Sequence, residues 1–160
     1  EVIARHTMAI YYLALKDYDK ALKFASDSLE IAKNGPDELL KAIGELTLAY
    51  IKMTSKLNDF KRGELANEVC ELIQNASKKY EKFIVYYIAL AIEAVAKHLR
   101  NEISFDEFLK ELDKLTSGLE NGKYKLRAWI MKQFKESVKE KGCVDEDLLR
   151  LSGVKLLLLQ

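Results

Sequence analysis

The sequence predicts an all-α protein built from antiparallel helical hairpins, and three observations carry that expectation. Apolar residues recur at steps of three and four along most of the chain, the spacing that lines one face of an α-helix. No segment shows the alternating, β-branched pattern of a half-buried strand. One proline and seven glycines in 160 residues leave little material for irregular loops. Successive helices must therefore bury their stripes against one another through short connections.

The first helix spans about residues 3–15, where Met8, Ala9, Ile10, Tyr11, Tyr12, Leu13, Ala14 and Leu15 are apolar on nearly every side, so it is expected to be largely buried. Asp17 offers an N-cap to a second helix carrying Tyr18, Ala21, Leu22, Ala25, Leu29 and Ala32 on one stripe. Asn34, Gly35 and Pro36 end it. Asp37 caps a third helix with the core stripe Leu39, Ile43, Leu46, Tyr50 and Met53. Gly44 shares the adjoining stripe with Leu40, Leu48 and Ile51, where a missing side chain admits a neighbouring helix at a propensity cost of about 1 kcal/mol. After a polar break at residues 55–59, Leu65, Val69, Leu72 and Ala76 mark a fourth helix, and Tyr80, Ile84, Tyr87, Ala91 and Val95 a fifth.

Ser104, Phe105, Asp106 and Glu107 form a capping box, and Ile103 with Phe108 makes a hydrophobic staple. The sixth helix they open presents Phe105, Phe108, Leu109, Leu112 and Leu115 and is expected to end near Ser117 and Gly118. A seventh spans about residues 123–141, with Tyr124, Ile130, Phe134 and Val138 inward and Gly142 after its end. Asp145, Glu146 and Asp147 suit the first turn of a short helix through Leu148, Leu149 and Leu151, while residues 156–159 carry no assignable pattern.

The length fits one domain, residues 1–160. A net charge of +1 provides no global field toward nucleic acid or an anionic membrane. Cys70 and Cys143 lack a CxxC setting and are expected to be small buried hydrophobes in a reducing, cytoplasmic location. The longest apolar run, residues 83–92, is too short to span a bilayer. The first residue, Glu1, suggests a piece of a larger protein, and abundant Lys and Glu beside few Gln hint at a thermophilic source. Neither His6 nor His98 has Glu three residues earlier, so the carboxylate di-iron pattern of helical bundles is missing, and Glu64, Glu68 and Glu71 reads as a solvated face. Without phosphate-binding or nucleophile motifs, no enzyme, metal or cofactor is expected.

Asp17-Tyr18, Asp59-Phe60 and Ser104-Phe105 each place a cap and an aromatic where a hairpin's second helix starts. Residues 12–33, with Leu13-Ala14, Asp17-Tyr18-Asp19-Lys20-Ala21-Leu22, Ala25, Ser28-Leu29 and Ile31, resemble the turn and second helix of a tetratricopeptide repeat. Gly63 and Phe108 replace the small crossing residue in the next two units, so the resemblance is to the wider tetratricopeptide-like group. It implies a right-handed α-α superhelix of about three hairpins, residues 3–34, 37–76 and 78–117, then a C-terminal capping helix at 119–142 and a tail at 143–160.

It also implies a concave groove lined by first helices, binding a protein or peptide partner. Tyr11, Tyr12, Tyr50, Tyr86 and Tyr87 fall on those helices as candidate groove residues, with core packing the blander reading. The family's carboxylate clamp is not recognisable, since Arg5, Lys41 and Lys52 have no accompanying Asn. Lys125, Lys132, Lys135 and Lys139 make a candidate basic patch on the seventh helix for an acidic partner or nucleic acid, with Trp129 and Tyr124 equally suited to anchoring the core. The rival reading is a self-associating domain, a homo-oligomer joined through the apolar tail at residues 154–159.

Overall fold

The computed structural model describes residues 1–77 and 84–158. Tyr80, Phe83 and Leu159, which entered the sequence reading, lie outside them. The described residues are helical and contain no strand: α1 (Val2–Ala14), α2 (Tyr18–Lys33), α3 (Glu38–Ser55), α4 (Leu57–Lys61), α5 (Ala66–Ser77), α6 (Ile84–Leu99), α7 (Phe105–Asn121), α8 (Lys125–Lys141) and α9 (Glu146–Leu157).

Side-chain caps set four of the starts. Asp17 accepts the Lys20 amide at 3.3 Å, and Asp37 those of Leu39 and Leu40 at 3.0 and 3.2 Å. Ser104 accepts Glu107 at 3.1 Å, and Asp145 accepts Leu148 at 2.8 Å. Each satisfies an amide the helix leaves unpaired.

Most helices pack on the next in chain order, α5 following α3 directly, with α4 a short turn of helix between them. α3 is the hub, touching α1, α2, α5, α6 and α9. It is accordingly buried almost all round from Ala42 to Thr54. Gly44 does admit a neighbour: a Cβ there would stand 3.2 Å from Leu29 of α2.

Several local expectations are corrected. α1 buries only His6, Ala9, Ile10 and Leu13, because it lies at the edge of the stack, and Ile3, Tyr11 and Leu15 are more than half exposed. Leu39 is exposed too, standing in the first turn of α3 before neighbours close around it. The break before α5 contains α4, whose Leu57 and Phe60 are buried. Asp59-Phe60 therefore opens no second helix of a hairpin, and Gly63, at φ +93°, sits in the following turn instead of a helix crossing. α7 continues past Gly118 to Asn121, because Gly118 seats the Tyr87 ring: a Cβ there would approach it to 2.6 Å.

The bulky Phe108 is accommodated by stacking on His98 at 4.7 Å between centroids, with Phe134 edge-on at 6.4 Å. α8 ends as expected at Gly142, which takes the left-handed conformation at φ 76°. It does not terminate the stack. The short tail helix extends to Leu157 as α9, which turns back to pack on α8, α1 and α3.

Candidate functional site

α9 packs against a face made by α1, α3 and α8. Its buried side carries Leu149, Gly153, Leu156 and Leu157. Leu156 and Leu157 are thus covered by the chain's own helices, which corrects the expectation of a bare leucine tail. Tyr50, Ile92, Met131, Phe134 and Leu156 surround a void of about 20 Å³, room for one water at most.

The polar contacts between α9 and this face go largely to main-chain carbonyls. The Tyr50 hydroxyl donates to the Leu149 carbonyl. His6 Nε2 is 2.9 Å from the Leu157 carbonyl oxygen, and its Nδ1 lies 3.4 Å from the Thr47 hydroxyl of α3. Arg127 Nη2 donates to the Leu158 carbonyl at 3.1 Å. A helix leaves its last carbonyls unsatisfied at the negative end of its dipole, so an imidazole N–H and a guanidinium there form a receptor for a helix C-terminus. Arg150 of α9 reciprocates by donating to the Ala14 carbonyl at the end of α1, at 2.8 Å. At the other end of α9, Glu146 accepts from the Tyr18 hydroxyl and pairs with Lys16 and Arg150, each at 3.4 Å.

Burial sets the electrostatics of the face. It lowers the His6 pKa, partly offset by the bond to the Leu157 carbonyl. It also lowers that of Arg127 and pushes the Tyr50 phenol far up. Tyr50 therefore keeps its proton and His6 is neutral at pH 7, and all three donate here because a carbonyl oxygen can only accept.

Gly153 is the point of closest approach. A Cβ at that position would lie 2.2 Å from Tyr50 Cε1 and 2.8 Å from its Cδ1. The ring is buried and its hydroxyl is committed to Leu149, so making room would strain that bond or push the ring toward the small void it borders.

Of the five candidate tyrosines, Tyr50 meets α9 directly. Tyr11 is exposed and edge-on to Tyr12, which stacks on Phe24 of α2 under the Lys20 ammonium. Tyr86 and Tyr87 are half-buried and edge-on to each other. On α8, Lys125, Lys132 and Lys139 are exposed, while Lys135 is bound to Asp113 of α7 at 2.6 Å. Trp129 is 56% exposed and so does not anchor the core. Cys143 is exposed, against the expectation of a buried hydrophobe, because it follows the α8 terminus, and Cys70 is half-buried beside Arg100.

Among the described residues no group of three His, Cys, Asp or Glu is arranged to hold a metal, and Glu68 pairs with Lys52 at 3.7 Å. No described helix is long and apolar enough to cross a membrane. Sequence reasoning missed His6, Arg127, Arg150 and Gly153. The one local signal was a glycine inside the leucine-rich segment 148–159, at a position where helix propensity alone favours almost any other residue. Comparison of the chain with family models, curated proteins and solved structures finds no match.

Proposed function

We propose that this chain is a protein-interaction module of tetratricopeptide-like build, a right-handed superhelix of hairpins whose first helices form a groove for a partner helix. One observation carries the reading: α9 is itself a helix seated by one buried side on α1 and α3, the first helices of two hairpins, and on α8. Apolar residues of that helix enter the face, and side chains of the face hold its backbone, which is how helix-in-groove recognition works. Three of the contacts go to carbonyls that any helix presents, so the face suits helices as a class.

The test titrates the full chain with a synthetic peptide of residues 144–158 and follows amide chemical shifts. The expected shifts gather on α1, α3 and α8, around His6, Tyr50 and Met131, with α9 released. Shifts scattered over α2, α5 and α7, or none at saturating peptide, would contradict the proposal. The tail-mediated homo-oligomer lacks this support, since Leu156 and Leu157 are already buried within the chain.

A further inference from the structure

We infer that Tyr50 acts as a size filter in the groove, so that the helix it accepts carries glycine at the position over the ring, in the pattern Leu-x3-Gly-x2-Leu-Leu, with its C-terminus at His6 and Arg127. α9 is then an intramolecular copy of the partner and competes with it. This deepens the proposed function and rests on it.

The pattern is read from contacts. Leu149, Leu156 and Leu157 are the α9 leucines buried in the face, and Gly153 is the position where even a methyl group would overlap Tyr50, at 2.2 Å. The far end of a flexible side chain yields cheaply to an added methyl, but this ring is buried and its far end is tied, the hydroxyl donating to the Leu149 carbonyl one turn before Gly153. Register along the groove is set at the other end, where His6 and Arg127 take successive carbonyls, those of Leu157 and Leu158. These two anchors leave no freedom to slide the helix so that another residue faces Tyr50.

Gly153 is a poor choice for helix formation alone, which favours alanine by roughly fivefold per position. The filter and the propensity therefore act in opposite directions, which makes the test decisive. Peptides of residues 144–158, unaltered or carrying Gly153→Ala, are titrated against the full chain by fluorescence anisotropy. The unaltered peptide is expected to bind at least about tenfold more tightly than the Gly153→Ala peptide, as overpacking a tight contact costs. Equal binding, or tighter binding by the Gly153→Ala peptide, overturns the filter while leaving the groove reading intact. Binding by neither peptide overturns both.

A second measurement needs no added ligand. In the full chain, Gly153→Ala is expected to speed amide exchange throughout α9 while leaving α5 and α6 protected, and adding Tyr50→Ala is expected to restore part of the α9 protection. Unchanged α9 exchange in Gly153→Ala, or no recovery in the double variant, contradicts the inference.

Discussion

At the residue scale, the side chains that organise the molecule are polar or aromatic groups whose environment leaves them one role. His6 is buried between α1, α3 and α9, and burial lowers its pKa. The unfolded chain then takes up a proton at pH values where the folded chain does not, so stability declines as pH falls below the ordinary histidine value of about 6.5. His98, stacked on Phe108 and also lowered chiefly by burial, adds a decline of the same sign. Denaturant unfolding at pH 7 and pH 5 is expected to show the lower stability at pH 5, with a smaller difference in His6→Gln. An equal pH 5 loss in the variant would mean that His6 is not the group responsible. The carboxylates Asp145 and Asp147 also titrate low, the first held by Lys141 and the second by Arg150, but their loss belongs to a separate window near and below pH 4. Phe108→Ala removes a fully buried ring packed on His98 and Phe134, and is expected to cost about 3–5 kcal/mol in the same unfolding measurement.

At the scale of the element, legibility in the sequence tracked how local the determining forces were. The starts of α2, α3 and α7 could be read because Asp17, Asp37 and Ser104 cap by contacts within three residues, and that of α9 from its run of acids, of which Asp145 proves to be the cap. The burial of α1 was misjudged because a helix apolar all round reveals that it has partners but not on how many sides, and here an edge position leaves Tyr11 and Leu15 uncovered. Leu57 and Phe60 did not reveal α4, since five residues are too few to establish a period. The full length of α9 was hidden for a different reason. Residues 156–159 are uniformly leucine, which erases periodicity, and Gly153 breaks the apolar stripe exactly where Tyr50, about a hundred positions away in sequence, fills the gap. Asp145 accepts the Leu148 amide, so Asp145→Ala is expected to weaken α9 by about 1 kcal/mol. Residue-resolved hydrogen exchange would show this as faster exchange in α9 with α5 unaltered, and an effect shared equally by all helices would argue against it.

At the scale of the whole molecule, the return of α9 changes what the stack offers. The helices pack largely in chain order, and α9 returns to cover the face made by α1, α3 and α8, held largely through its backbone and at one glycine. The candidate site was half legible: Tyr50 was among the tyrosines named from first-helix placement, but His6, Arg127 and Arg150 belong to a constellation that exists only once α9 folds back. The central claim is that α9 is a displaceable occupant instead of an inseparable layer of the core. Native-state hydrogen exchange of the full chain under increasing mild denaturant tests it most directly. The account predicts that α9 amides exchange as a unit through an opening clearly less costly than global unfolding, while α3 and α6 exchange only at the global limit. Exchange of α9 and α3 at one common free energy would contradict it.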